Sequence, residues 1–92
     1  MLLVYMELRI LEESEDTLKV EIDDITLVNL LNEKVWKQRG IEFSAYKIEH
    51  PYLSKPVITV RSKNPKKALI DAAYKIIEDV DALRKKLSAT LK

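Results

Sequence analysis

Few side chains in this 92-residue chain have the types and spacing for chemistry. Asp23 and Asp24 stand side by side, and paired carboxylates do acid–base work when a pocket drives their pKa values apart. His50, the single histidine, precedes Pro51 and has the chemistry of a general base or a metal ligand. Ser54-Lys55 and Ser62-Lys63 each set a hydroxyl beside an amine, but nothing around them marks an activated nucleophile. Arg61, Lys63, Lys66 and Lys67 cluster where a helix is expected to begin, an arrangement that can receive phosphate. Each feature has a plainer account. Two aspartates ahead of Ile25-Thr26 suit a helix N-terminus, whose free amides they cap. A histidine before proline fixes a loop through backbone hydrogen bonds. Four bases with no interleaved aromatic residue make a solvated loop rather than a stacking platform for single strands.

Composition narrows the choice further. The chain has no cysteine, which excludes disulfide frameworks, thiolate metal sites and Cys nucleophiles. One histidine cannot build a multi-His metal site, and one glycine cannot build a phosphate-cradling loop. No catalytic residue, no cofactor and no metal site is therefore expected. The 16 basic residues against 15 acidic ones leave +1, which is not the balance of a strongly basic nucleic-acid binder. That balance is uneven along the chain. Residues 1–24 hold eight acids and two bases, a net of −6, and residues 25–92 hold seven acids and fourteen bases, a net of +7. Such a split fits either a solvated acidic hairpin before ordinary helices or a chain with two faces for two neighbours. The apolar stretch Met1–Met6 lacks a basic flank and meets Glu7 and Arg9 at once, so no targeting or membrane-spanning segment is expected. A single domain over 1–92 in a cytoplasmic setting is the expectation.

The elements that must position these residues follow from periodicity. Met6, Leu8 and Ile10 alternate with Glu7 and Arg9, and Leu18, Val20 and Ile22 alternate with Lys19, Glu21 and Asp23. Period two marks two strands with one buried face each, joined by the polar Glu12–Asp16 as an antiparallel hairpin. Leu27, Leu30, Leu31 and Val35 step at helical spacing, predicting a helix over about 26–38 that ends near Gly40, a candidate left-handed cap. Val28 and Trp36 make its apolar face wider than one sheet contact needs. Ile41, Phe43 and Ala45 alternate before Tyr46 and Ile48 take the opposite phase, which predicts a third strand with a bulge or two buried faces. His50-Pro51 ends that strand, and Val57–Arg61 is the fourth. Phe43 and Tyr46 belong to opposite faces and so make no joint aromatic platform.

Asn64-Pro65 starts the last helix, with Asn as cap and proline at the first position. Leu69, Ala73, Ile76, Val80, Leu83 and Leu87 then step by 4, 3, 4, 3 and 4, flanked by Ala68, Ala72 and Ile77. Nothing interrupts this pattern for about 27 residues, or about 40 Å. A compact body of this chain length has a radius of gyration of about 12 Å. A helix of that length overhangs such a body, and either its far leucines take cover from another chain or the helix frays after about residue 84. The order ββαββα predicts an α+β two-layer sandwich: a four-stranded antiparallel sheet with two helices on one face. The expected partner surface comprises Leu27, Leu30, Leu31 and Val35 of the first helix and Leu69, Ala73, Ile76, Val80, Leu83 and Leu87 of the second.

The run Asp24-Ile25-Thr26-Leu27-Val28-Asn29-Leu30-Leu31, then Ala45-Tyr46, His50-Pro51-Tyr52-Leu53, and Pro65 to Leu69 before a long helix, resembles the small alpha-like subunits of RNA polymerases. The archaeal representative is subunit L, and the family is related to the bacterial alpha N-terminal domain. The likeness extends over about residues 6–89 and leaves 1–5 as an N-terminal extension. Thr26, Leu27, Asn29, His50 and Pro51 carry the motif. The family usually has His where Ile25 stands and a small residue where Val28 stands, and the arginine pair of the alpha motif falls on Asn32 and Glu33. The resemblance implies a non-catalytic assembly subunit that forms a heterodimer with the larger alpha-like subunit of the polymerase, the one named D in archaea. The pair would form a platform for the large catalytic subunits. The resemblance implies no direct nucleic-acid contact. Isolated chains would pair with themselves through the same face, because alpha-like domains are two-fold related. The competing reading is a small nucleic-acid-binding module using the basic loop at 61–67. A third is an enzyme or enzyme accessory subunit on a similar sandwich, which a pKa-shifted His50 or Asp24 beside a pocket would favour.

Overall fold

A computed structural model describes residues 7–48 and 55–91. Met6, His50 and Pro51, and the extension at 1–5, lie outside the described residues. Six elements follow one another: β1 (Leu8–Glu13), β2 (Thr17–Ile22), α1 (Ile25–Trp36), β3 (Ile41–Lys47), β4 (Val57–Ser62) and α2 (Pro65–Thr90). The strands form one antiparallel sheet in the order β1-β2-β4-β3. α1 carries the chain from β2 to the far edge at β3, and β4 returns into the gap. The expected two-layer α+β sandwich is the observed one.

Local chemistry sets the boundaries. Asp24 caps α1 by accepting from the Leu27 amide at 3.0 Å. Asn64 caps α2 by accepting from the Lys67 amide at 3.2 Å, with Pro65 behind it at the first helical position. Ser14 and Asp16 close the β1–β2 turn, where the Ser14 amide donates to the Thr17 carbonyl at 2.8 Å. α1 ends at Trp36 with Lys37 as its C-cap, so Gly40 is not the cap. Its φ of +78° instead turns the chain into β3, in a region that L side chains rarely adopt.

The core lies between the sheet and the helices. Leu18, Val20 and Ile22 from β2, Ile58 and Val60 from β4, Val28, Leu31 and Val35 from α1, and Ala68 and Ala72 from α2 are all buried. The two alanines let α2 approach the sheet closely, as small side chains do. α1 is also pinned to β3: Trp36 Nε1 donates to the Ser44 carbonyl at 2.7 Å and Ser44 Oγ donates to Asn32 Oδ1 at 2.6 Å. Gln38 Nε2 ties the end of α1 to the Ala68 carbonyl of α2 at 2.7 Å.

Two expectations about strands change. The phase of β3 switches between Ile41 and Phe43, not between Ala45 and Tyr46. Glu42 is the extra residue, so Ser44 and Tyr46 face the helices while Phe43 and Ala45 share the outer face with their partners Arg61 and Thr59. β1 has no buried face at all. Leu8 and Ile10 pair with Ile22 and Val20 and share their side of the sheet, yet they are 62% and 58% exposed. The reason is lateral: α1 lies over β3 and β4 and α2 over β4 and β2, which leaves β1 beyond the roof.

The body is elongated. It measures 48 × 34 × 18 Å with a radius of gyration of 14.7 Å, against about 12 Å for a compact chain of this length. The 26 residues of α2 span about 39 Å and account for the excess.

Candidate functional site

Among the described candidate acid–base groups, Asp24 serves structure. Asp24 is spent as a helix cap and Asp23 is exposed. Ser62 is buried at the end of β4, and its amide donates to the Asp16 carbonyl at 3.0 Å. Lys55 pairs with Glu7 at 3.2 Å, which raises its pKa above that of a free lysine. No group of three His, Cys, Asp or Glu side chains among the described residues is arranged to hold a metal ion.

The basic loop is half neutralised. Lys66 forms an ion pair with Glu13 of β1, and Lys67 pairs with Asp71 at 2.8 Å. Arg61 stands on the outer face of the sheet beside Phe43, while Lys63 and Lys67 border one open depression with Ser62 and Asn64. The four bases therefore do not converge on one ligand.

The apolar surface is the larger feature. α2 turns Ala68 and Ala72 to the core and packs Leu69 and Ile76 partly against it. Beyond these, Ile70, Ala73, Tyr74, Ile77, Val80, Leu83 and Leu87 are exposed. Val80 and Leu83 keep 59% and 57% of their surface, and every described residue past Asp81 is exposed. Between the helices runs an apolar groove lined by Leu30 and Lys34 of α1 and by Ile76, Asp79, Val80 and Leu83 of α2. Lys34 Nζ meets Asp79 Oδ2 there at 2.5 Å. The ion pair raises the lysine pKa and holds the aspartate below the usual carboxylate range.

The structure sorts the sequence-derived partner residues by depth. Leu30, Ala73, Val80, Leu83 and Leu87 lie on the open surface. Leu27, Leu69 and Ile76 are half-buried against the core. Leu31 and Val35, at 6% and 0% exposure, are committed to this chain's own core and offer no surface to a neighbour. The exposed apolar set also includes Leu8 and Ile10, expected on a buried strand face, and Ile70 and Tyr74, which the heptad seam does not contain. The signal for the last two was present: α2 carries more apolar side chains than one seam uses, so a second stripe had to face outward.

The motif residues have local work. Asn29 accepts a hydrogen bond from the Tyr46 hydroxyl at 3.3 Å, which joins α1 to β3. Thr26 is exposed in the first turn of α1. Val28, the bulky departure from the family pattern, is fully buried and points inward rather than at a neighbour. Ile25 is exposed. Asn32 receives the Ser44 hydroxyl, and Glu33 pairs with Lys37 at 3.9 Å.

Comparisons with known proteins agree with this geometry. Residues 15–86 match the family model described as the RNA polymerase Rpb3/Rpb11 dimerisation domain. DNA-directed RNA polymerase subunit Rpo11 of Pyrococcus abyssi is 38% identical over 80 residues, covering 79% of this chain and 84% of that protein. The Rpo11 subunit of Methanocaldococcus jannaschii is 30% identical over 91 residues, covering 85% and 92%. The crystal structure of DNA-directed RNA polymerase subunit L from Thermoplasma acidophilum superposes with a TM-score of 0.82 at 27% identity, over 92% of this chain and 88% of that one. With its sandwich, its uncovered long helix and these relatives, the chain belongs to the RNA polymerase Rpb3/Rpb11 dimerisation domain family.

Proposed function

We propose that this chain, a non-catalytic assembly subunit of archaeal DNA-directed RNA polymerase, closes its exposed α2 face on the larger alpha-like subunit, the one named D in archaea. The pair then forms the cytoplasmic platform on which the large catalytic subunits assemble. The observation that carries the reading is the apolar stripe of α2. Exposed apolar patches of this kind, rimmed by charge, mark protein interfaces. The relatives' names supply the machine, and the stripe supplies the means of joining it. Leu30, Ala73, Val80, Leu83 and Leu87 form the contact surface, and Leu27, Leu69 and Ile76 stiffen it from beneath.

The nucleic-acid reading has less support, because Lys66 and Lys67 already spend their charge on Glu13 and Asp71. No helix among the described residues is long and apolar enough to cross a membrane. The test is to mix this chain with the larger alpha-like subunit of the same polymerase and weigh the product by size exclusion with light scattering. A one-to-one complex is expected, together with loss of the dye binding that exposed apolar surface gives. Two unassociated species would refute the reading.

A further inference from the structure

Among the described residues, the buried polar ones are Thr17, Ser44 and Ser62. The first two spend their hydroxyls inside the chain, Thr17 on Asp16 Oδ1 at 3.1 Å and Ser44 on Asn32 Oδ1 at 2.6 Å. Ser62 is only 4% exposed, yet its hydroxyl has no hydrogen-bond partner among the described residues. Every described side-chain nitrogen or oxygen that is sealed from solvent does have one, so the Ser62 hydroxyl is not sealed. It opens into the depression that Ser62 lines, about 600 Å³ between the end of α1, the start of β3 and the start of α2. A polar group at such depth calls for a partner from outside the chain.

The surroundings select the sign of that partner. Arg39 and Lys63 border the depression, and neither has an ion-pair partner among the described residues. Lys67 borders it too, shared with Asp71 at 2.8 Å. The start of the 26-residue α2 adds the positive end of a helix dipole, about half a charge. Glu42 and Asp71 are the acids at the rim, so three cations face two carboxylates and the helix end deepens the positive excess. A cation would meet Arg39, Lys63 and the helix dipole, and an apolar ligand would leave the Ser62 hydroxyl unpaired. We propose that this depression binds a phosphate group. Ser62 Oγ donates to one of its oxygens, the planar fork of Arg39 suits two, and Lys63 supplies a point charge. Lys67 lies about 20 Å along α2 from Val80, so the site stands or falls apart from subunit pairing.

Titration of the full, nitrogen-15-labelled chain with inorganic phosphate, at ionic strength held constant with sodium chloride, tests this by amide chemical shifts. Saturable shifts confined to residues 38–42 and 62–71 are expected. Ser62→Ala weakens binding about tenfold or more and leaves the melting temperature unchanged, because the hydroxyl has no partner within the chain. Lys63→Ala, at an exposed position, weakens it about threefold. Asp71→Asn removes a carboxylate and frees Lys67, so it strengthens binding. The same shifts from chloride alone overturn the proposal, as does an affinity indifferent to Ser62→Ala. A nucleoside 5′-monophosphate separates the sources of the group: tighter binding than inorganic phosphate identifies a phosphate monoester, equal binding the free ion, and both uphold the site. A single-stranded oligonucleotide without terminal phosphate that shifts these amides at lower concentration than phosphate does overturns it in favour of a nucleic-acid backbone. Capture of the larger alpha-like subunit is scored separately, and its failure leaves the titration unaltered.

Discussion

The double variant Val80→Glu, Leu83→Lys separates binding from folding. Both side chains are nearly 60% exposed and contribute little to this chain's own core. Each replacement also finds a counter-charge one turn away, since Arg84 lies four residues after position 80 and Asp79 four before position 83. The stability of the isolated chain should therefore move by no more than about 0.5 kcal/mol. Binding is different. Fully burying a Val or Leu side chain is worth about 1.5–3 kcal/mol, so covering the exposed three-fifths contributes roughly 1–1.8 kcal/mol at each position. Losing both removes about 2–3.5 kcal/mol, a Kd weaker by about 30- to 400-fold. The desolvation of two new charges adds to that loss. Titration calorimetry against the larger alpha-like subunit measures the affinity, and thermal melting of the chain alone measures the fold. Affinity within threefold of the parent would refute the assignment of the α2 face. A melting point lowered by more than about 8 °C would show that these side chains serve the fold after all.

Other outcomes follow from the core and the ion pairs. Ile58 is fully buried at the centre of the sheet, so Ile58→Ala should cost about 2–5 kcal/mol and show as a markedly lower urea midpoint. Asn64→Ala removes the α2 cap and should cost about 0.5–2 kcal/mol, whereas Asn64→Asp should retain most of it; equal melting points for Ala and Asp would contradict the capping role. Asp79 has a folded pKa below its unfolded one, so its contribution is present above the unfolded value of about 3.9 and is lost as pH falls through the folded value. Lys34 has a raised folded pKa, so its share is present below about 10.4 and is lost as pH climbs past the folded value. Asp79→Asn should accordingly flatten the fall in melting temperature below about pH 4 and above about pH 10.4, and unchanged slopes in both limbs would remove the pair from the stability account.

Most of the fold was legible because each element carries local instructions. The alternation Leu18, Val20, Ile22 and the caps Asp24 and Asn64 define β2 and the starts of both helices without help from tertiary contacts. The bulge in β3 was legible as a phase change but not as a position, since Ile41, Phe43 and Ala45 alternate correctly whether or not Glu42 is paired. The exposure of β1 was not legible at all. Its residues read as a half-buried strand, and only the sideways placement of the helices over the other three strands leaves it bare. Among the partner residues, Leu31 and Val35 share helical phase with the surface leucines. Periodicity gives the width of an apolar face but not which part of it the chain's own sheet consumes. The partner of Lys66 was not legible for a related reason: Glu13 lies fifty-three positions before Lys66 in sequence, and only the fold brings the two together.

The register shift in β1 has a consequence for solubility. Leu11 is the extra residue between the Ile10 and Glu12 pairings, and it turns Glu13 to the same side as Leu18. An edge strand with three exposed aliphatic side chains and a regular ladder would recruit further edges without limit, as fibrils do. A bulge bends and over-twists that edge, so a flat neighbour cannot stay in step along it. A charged residue on its inward side penalises any strand stacked there. The open apolar flank of β1 is thereby made poor at growing filaments.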